Sequence, residues 1–272
     1  MTEQEQTFWD HLDVLRGSLI KIVLVTVVFM IVAFIMKDTL FSIILAPKEY
    51  DFITYQWLEK AAQLINPDAH LEFFQVELIN TGLANQFMVH MKMALFMGAL
   101  IASPYIIYLL FNFVAPALYE NEKRYAVRLV GGGYVMFMLG VLLSYFLIFP
   151  FTFRFLGTYQ VSDDVTNMIS LDSYTDTLWT LSFLMGVVFE IPIVCWLLAQ
   201  FGLLKAQFMQ NYRKHAIVVI LIVAAIITPT TDVFTLMLVS MPIWFLYEFS
   251  ILIVKHTYKT PSKDDSATEC QN

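Results

Sequence analysis

Charge is scarce in this chain. Asp, Glu, Lys and Arg make up 14% of its 272 residues, against about 25% in ordinary soluble domains. Apolar residues take their place at 58%, and the mean hydropathy is +0.67. A globule solvated by water on all sides is excluded, and the chain reads as an integral membrane protein. Cysteine is scarcer still. Cys195 lies in an apolar run and Cys270 in a polar tail, so the two cannot easily meet; no disulfide is expected, and the tail belongs in reducing cytosol.

The signatures of catalysis are missing as well. There is no H-E-x-x-H zinc motif, no G-x-S-x-G elbow, no Gly-rich phosphate loop and no Cys/His cluster with metal spacing. His11, His70, His90, His215 and His256 are scattered over different segments and read as interfacial or cap residues rather than ligands. The expectation is a protein that is not an enzyme, holds no metal or cofactor and binds no nucleic acid. No cleavable leader is expected, because Met1 to Asp13 is polar and acidic and the apolar run behind it is long enough to stay as an anchor. Internal repeats, Gly-rich linkers and soluble domains are absent.

What the chain does contain is a series of apolar runs, at 17–36, 88–114, 125–149, 177–202, 213–228 and 232–254. A helix needs about 20 apolar residues to cross a hydrocarbon core of about 30 Å, so these runs predict an all-α membrane protein with six transmembrane helices. Pro104, Pro192 and Pro242 are expected as kinks within them. The fifth run is short. Ile217 to Thr228 covers roughly 18 Å at about 1.5 Å per residue, so this helix starts within the polar stretch "QNYRKHA" or the bilayer thins around it. Only "PTTD" separates it from the sixth run, which predicts a tight antiparallel helical hairpin. Residues 1–257 read as one six-helix domain and 258–272 as a disordered cytoplasmic tail.

Orientation follows from Lys and Arg near the span ends. With the N-terminus in the cytoplasm, the inner side collects Arg16, Lys21, Lys123, Arg124, Arg128, Lys205, Arg213, Lys214, Lys255, Lys259 and Lys263. The outer loops hold Lys37, Lys48, Lys60 and Arg154. Both termini are therefore expected inside. The net charge of -7 reflects acidic outer loops, with Asp38, Glu49, Asp51, Glu59, Asp68, Glu72 and Glu77 in the first and Asp163, Asp164, Asp172 and Asp176 in the second. The first outer loop, 37–87, is long and apolar, with Trp57, Pro47, Pro67 and "FFQVELI"; loops of that length are functional or folded, and short helices capping the outer face are expected.

Three acids stand in or beside the spans. A charged acid at the centre of a membrane helix costs about 2.5 to 3.5 kcal/mol on insertion scales, so it normally faces protein or water and is a functional candidate. Glu190, inside "SFLMGVVFEIPIVCWLLAQFG" with Pro192 behind it, is the best of them; the plainer reading is a protonated side chain bonded to a neighbouring helix. Asp232 either has a role at the mouth of the hairpin or simply caps the sixth helix. Glu248 reads as a residue that snorkels or pairs with a basic side chain. At the N-terminus, "TFWDHLDVLRGSL" aligns Phe8, Leu12, Leu15 and Leu19 on one face and reads as an interfacial helix feeding the first span. "FVAPALYENEKRYAVR" ends the second span at a proline and presents Glu120 and Glu122 beside Lys123 and Arg124. A secondary transporter would also bury acids and break helices, but its paired broken helices in two related halves are not apparent; it is kept as the alternative function. An intramembrane hydrolase lacks its nucleophile and base.

Four stretches, "HLDVLR" at 11–16, "APALYENEKR" at 115–124, "FEIP" at 189–192 and "TPTTDVF" at 228–234, resemble in order and spacing the signatures of the TatC family, the polytopic core of the twin-arginine, Sec-independent protein translocase. The resemblance implies a concave, glove-shaped bundle in the bacterial cytoplasmic (inner) membrane that serves protein transport. Its cytoplasmic face would receive twin-arginine signal peptides of folded cargo. Single-span TatA- and TatB-type subunits would assemble around it, likewise further copies of the chain, with the proton-motive force driving passage. Carried over by residue, the arginine-binding glutamate falls on Glu122, flanked by Phe113, Leu118, Tyr119, Lys123 and Arg124, with Glu120 beside it. The intramembrane glutamate falls on Glu190, the outer-loop proline on Pro47 and the hairpin acid on Asp232. Arg16 matches the basic residue of the first motif. One departure is Val14, where the family carries a glutamate; Asp13 beside it and Asp10 one turn earlier are the nearest carboxylates, and a shift of one residue turns a side chain about 100° around a helix. Guanidinium and carboxylate match in bidentate geometry, which suits acids at the inner rim to an arginine pair. Glu190 is expected to face the concave side and hold water partway into the bilayer, beside a membrane thinned at the short fifth span.

Overall fold

The computed structural model describes residues 8–65, 76–114, 123–162, 167–230 and 232–257. The chain is mostly helical. Among the described residues, five helical stretches are long and apolar enough to cross a membrane: Leu12–Ile35, Asn85–Phe111, Val130–Thr158, Leu171–Gln200 and Val233–Thr257.

The first stretch belongs to α1 (Phe8–Ile35), a single unbroken helix. The expected interfacial helix is therefore not a separate element; nothing in "FWDHLDVLRGSLIK" breaks the backbone, and the amphipathic start runs directly into the span. α1 is joined to the bundle by an antiparallel partner, α4 (Asn85–Val114). Phe34 stacks on His90 at a ring separation of 4.0 Å. Further along the pair, Gly98 lets α1 pass so closely that a Cβ there would lie 2.6 Å from Met30 N and 3.0 Å from Thr26 O. Elsewhere α1 faces outward, with only 6% of its most apolar window buried. α4 continues through Pro104. A proline removes the donor for the carbonyl four residues earlier, and the Ser103 hydroxyl donates to that carbonyl, Leu100 O, at 2.7 Å.

Between α1 and α4 the chain forms α2 (Lys37–Leu45), a 3-10 turn at Ala46–Lys48, α3 (Ile53–Ile65) and the short strand β1 (Leu78–Ile79). These cap one end of the bundle, called the cap end below. Hydroxyls staple them down. Tyr174 donates to Ile44 O at 2.9 Å and Tyr145 to Ile43 O at 2.6 Å. Tyr55 lies between Pro47 O at 3.1 Å and Pro150 O at 3.0 Å; its burial pushes the phenol pKa upward, the nearby Arg154 opposing, so it stays a donor.

The third span is longer than expected from the sequence. α5 (Lys123–Leu143) passes through a π turn at Ser144–Ile148 into α6 (Phe149–Thr158), nine residues past the predicted end at 149. Pro150 does not end it, because a π turn absorbs the misfit and the carbonyl the proline leaves without a partner, Phe146 O, accepts from the Thr54 hydroxyl of the cap. Arg154, expected in a loop, is thus helical. A second strand, β2 (Ile169–Ser170), pairs in parallel with β1 through Leu78 and Ile169. It leads into α7 (Leu171–Val188), whose N-cap Ser170 accepts from Ser173 N at 3.2 Å. This start is six residues before the predicted 177, so Asp172 and Asp176 belong to the helix and not to the second loop. The cap-end core is built on Phe149, Phe153 and Tyr174, with Phe149 edge-on to Tyr174 at 5.0 Å.

α7 gives way at Phe189 and Glu190 to α8 (Ile191–Gln200). α9 (Ala206–Asn211) is a single short helix, followed by α10 (Arg213–Ile227) and α11 (Val233–Thr257). α10 has 15 residues, about 22 Å at 1.5 Å each, and lies beside α11 as the hairpin predicts. Cys195, on α8, has a free thiol; Cys270 and the rest of 258–272 lie outside the described residues.

Candidate functional site

Apart from Pro47 and Asp232, the residues assigned by resemblance fall in two places. The first is the end of the bundle opposite the cap. Because α1 and α4 are antiparallel, the start of α1 with Asp13 and Arg16 comes to the same end as Phe113, near the end of α4, and Lys123 and Arg124, which begin α5. Asp13, Val14 and Arg16 are exposed there, Val14 at 49%, and Phe113 is half-buried. Asp10 lies on the first turn of α1. Leu118, Tyr119, Glu120 and Glu122 lie outside the described residues, between the end of α4 and the start of α5.

The second place is Glu190. Val187 O accepts from Glu190 N at 3.1 Å, a tightened turn, and Pro192 follows in the first turn of α8. Proline at this position suits a helix start and cannot bond back to Val188, so the sequence "FEIP" ends one helix and begins another with Glu190 at the joint. Counting about 1.5 Å per residue, Glu190 lies roughly 28 Å along the α7–α8 path from Leu171 and about 15 Å from Gln200, well inside the span. Both carboxylate oxygens are buried with no hydrogen-bond partner among the described residues. They face α5 at Gly133, where a Cβ would lie 3.2 Å from Glu190 Oε2 and 2.9 Å from the Phe111 ring. The absence of that Cβ leaves room for the carboxyl.

Glu190 opens on a cavity of about 770 Å³ lined by α1, α4, α5, α7 and α8 and open on one side. Its lining is apolar, including Val23, Leu110, Phe137 and Val187, apart from Thr26 and Glu190 itself. Two acceptor oxygens in such a setting are costly unless a donor reaches them. Both oxygens of Glu190 are therefore open acceptors on the cavity wall.

The other sequence candidates have structural partners. Asp232 accepts from Thr235 N at 2.6 Å through Oδ1 and so caps α11. Burial raises its pKa, but the Thr235 amide and the neighbouring Thr230 and Thr235 hydroxyls more than offset this and hold it below the usual carboxylate range. Glu248 pairs with Arg213 at 2.7 Å, joining α11 to α10. Pro47 is buried in the 3-10 turn under Tyr55.

One constellation escaped the sequence reading. Lys92, within the second span, donates to Asp172 Oδ1 and Asp176 Oδ1, each at 3.1 Å, and Trp179 Nε1 donates to Asp176 at 3.2 Å. The available signal was a lysine inside an apolar run and two aspartates four apart in "DSYTD", one helical turn.

Comparison with known proteins fits this geometry. Residues 10–242 match the family model for TatC, Sec-independent protein translocase protein. The TatC protein of Blattabacterium sp. subsp. Periplaneta americana is 32% identical over 255 residues, covering 92% of this chain and 96% of that protein. TatCy of Bacillus subtilis is 29% identical over 267 residues, covering 98% and 96%. A crystal structure of the twin arginine translocase receptor TatC superposes with a TM-score of 0.72 at 31% identity, covering 92% of this chain and all of that one. An apolar bundle of long helices, an acid at a helix joint inside it and similarity along nearly its whole length lead to one conclusion: the chain is a multi-pass membrane protein that belongs to the TatC family of Sec-independent protein translocase subunits.

Proposed function

We propose that this chain is the signal-receiving core subunit of a twin-arginine translocase in a bacterial cytoplasmic membrane. Both termini lie in the cytoplasm and the cap lies outside. α10 serves as a sixth, short crossing in a thinned bilayer, and the concave side of the glove-shaped bundle carries Glu190. The twin arginines of a signal peptide dock at the cytoplasmic end on Glu122 and Glu120, helped by Asp13 or Asp10 in place of the carboxylate that Val14 lacks. Phe113, Leu118, Tyr119, Arg16, Lys123 and Arg124 frame that site. The apolar part of the signal enters beside the helices, where Glu190 supplies acceptors to a polar group or to water. TatA- and TatB-type single-span subunits and further copies of the chain complete the assembly, and the proton-motive force drives passage of folded cargo. Its role is transport, with no catalytic step.

The observation that supports this reading most is the meeting of three helix ends opposite the cap. The start of α1 with Asp13 and Arg16, the end of α4 with Phe113 and the start of α5 with Lys123 and Arg124 come to one end. Carboxylates there suit guanidinium forks in bidentate pairs.

The test is peptide binding to the purified chain. A labelled twin-arginine peptide is expected to bind and its twin-lysine form to bind far more weakly. Glu122→Gln should weaken the first by about 10- to 100-fold, since a hydrogen bond to a charged group contributes about 1.5–3 kcal/mol. Equal binding of the two peptides, or unchanged binding by Glu122→Gln, would overturn the proposal.

A further inference from the structure

The cap helix α3 has two unlike faces. Tyr55 is buried against Pro47 and Pro150, whereas Ile53 is 46% exposed, Trp57 69% and Leu64 89%. At about 100° per residue, Ile53, Trp57, Lys60, Ala61 and Leu64 lie within roughly 100° of one another around the helix. All five are exposed.

This stripe is not raised above the bundle. Phe52, just before α3, stacks on Phe146 with ring centroids 5.7 Å apart and planes 10° apart, and Thr54 bonds to the Phe146 carbonyl. Phe146 stands 12 residues before the end of α6 at Thr158, about 18 Å along the helix axis, inside the span Val130–Thr158. The start of α3 is thus held against the flank of a membrane span, well short of its end. That flank is itself an exposed apolar stripe at helical spacing: Val135, Leu139, Leu142 and Phe146. The exposed face of the span continues through Phe52 into the exposed face of α3.

We infer that α3 is an interfacial anchor, lying in the membrane surface at the cap end with Ile53, Trp57 and Leu64 among the lipids of that leaflet. Tryptophan favours the headgroup level. The opposite face of α3 is packed on the bundle through Tyr55, so the apolar stripe is the face turned to the surroundings, as in helices that bury an apolar face at the headgroup boundary. Lys60, in the middle of the stripe, reaches phosphate by its long stem. A lysine at that position is a poor centre for a contact with a second protein, since lysine is depleted from interface cores. The partner is therefore lipid. Through the Thr54 and Tyr55 bonds the anchor fixes the height of the π turn and of the cap relative to the bilayer. The inference needs only that the bundle spans a membrane and is independent of peptide binding.

Spin-label accessibility tests it. In the full chain with Cys195→Ala and Cys270→Ser, single cysteines at Trp57 and Leu64 are labelled and the protein is placed in vesicles of phosphatidylethanolamine and phosphatidylglycerol. Leu139 on the span flank serves as the lipid reference and Leu83, fully exposed between β1 and α4, as the loop reference. Labels at 57 and 64 are expected to collide readily with oxygen and poorly with a water-soluble nickel chelate, moving from the Leu83 ratio toward that of Leu139. Collision with nickel equal to that at Leu83 would place α3 in water, and protection from both reagents would mean a covering protein chain. Either result overturns the inference.

Discussion

Lys92 Nζ lies 3.1 Å from Asp176 Oδ1 and 3.1 Å from Asp172 Oδ1, so one ammonium joins α4 to two successive turns of α7. These side chains are about 40% exposed, and a pair in that setting contributes about 0.2–1 kcal/mol. Removing the cation leaves two carboxylates one turn apart with nothing between them. Lys92→Met is therefore expected to lower the thermal midpoint in detergent by about 2–4 °C, the shift for about 1 kcal/mol in a chain of this size. The double variant Lys92→Met with Asp176→Asn should recover part of that loss, because the two changes share one interaction. Additive losses in the cycle would show that the ion pair contributes nothing.

Gly98 sets how closely α1 approaches the bundle. A Cβ there would lie 2.6 Å from Met30 N and 2.9 Å from Met30 Cα, backbone atoms that move only if the whole helix moves. Gly98→Val is expected to push α1 away from α4 at a cost of about 1–3 kcal/mol, the usual range for overpacking. Faster proteolysis of the N-terminal segment in detergent would report it. Wild-type cleavage rates would show that the crossing has slack.

Asp232 gives a pH signature. Its folded-state pKa is lowered, so the stability it contributes is present above the unfolded value of about 3.9 and is lost as pH falls through the lower folded value. Asp232→Ala should cost about 1 kcal/mol at neutral pH, as other N-cap deletions do. The gap between the two proteins should stay constant down to about pH 4 and close below it. A gap that closed near neutrality would assign the carboxyl a different environment.

Glu190 and the opposite end of the bundle should separate in function. They are about 15 Å apart along the helices, beyond the distance at which substitutions usually couple. Glu190→Ala is expected to leave twin-arginine peptide binding within about twofold while reducing export of a folded reporter. Gly133→Ala, whose Cβ would press on the same carboxyl and on Phe111, should reduce export in the same way. Full export by both variants would remove the cavity from the mechanism.

The spans, the hairpin and the acid at the helix joint were legible in the sequence because each is a local property. Twenty apolar residues report lipid as solvent whatever lies beside them, "PTTD" is too short for anything but a tight reversal, and a proline two residues after Glu190 cannot continue a helix unaltered. Structure departs from sequence expectation where a distant segment decides. The sequence predicts an end of the third span at Phe149 because nothing around Pro150 hints that a π turn and Thr54, 92 residues from Phe146, accommodate the proline. Asp172 and Asp176 read as loop residues in the sequence because their partner, Lys92, is 80 and 84 residues away.

Composition and periodicity alone determined the solvent of this protein, the places of the five helices long enough to cross a membrane, and the break of the helix at Glu190 and Pro192; the sixth predicted crossing is the 15-residue α10. Tertiary structure decided which carbonyls left open by prolines are capped, which charge meets which, and that Glu190 faces a cavity while Glu248 faces an arginine. The physical reason is range. Burial in lipid acts on each residue by its own chemistry, whereas a hydrogen bond or an ion pair exists only once folding has brought two remote side chains within about 3 Å.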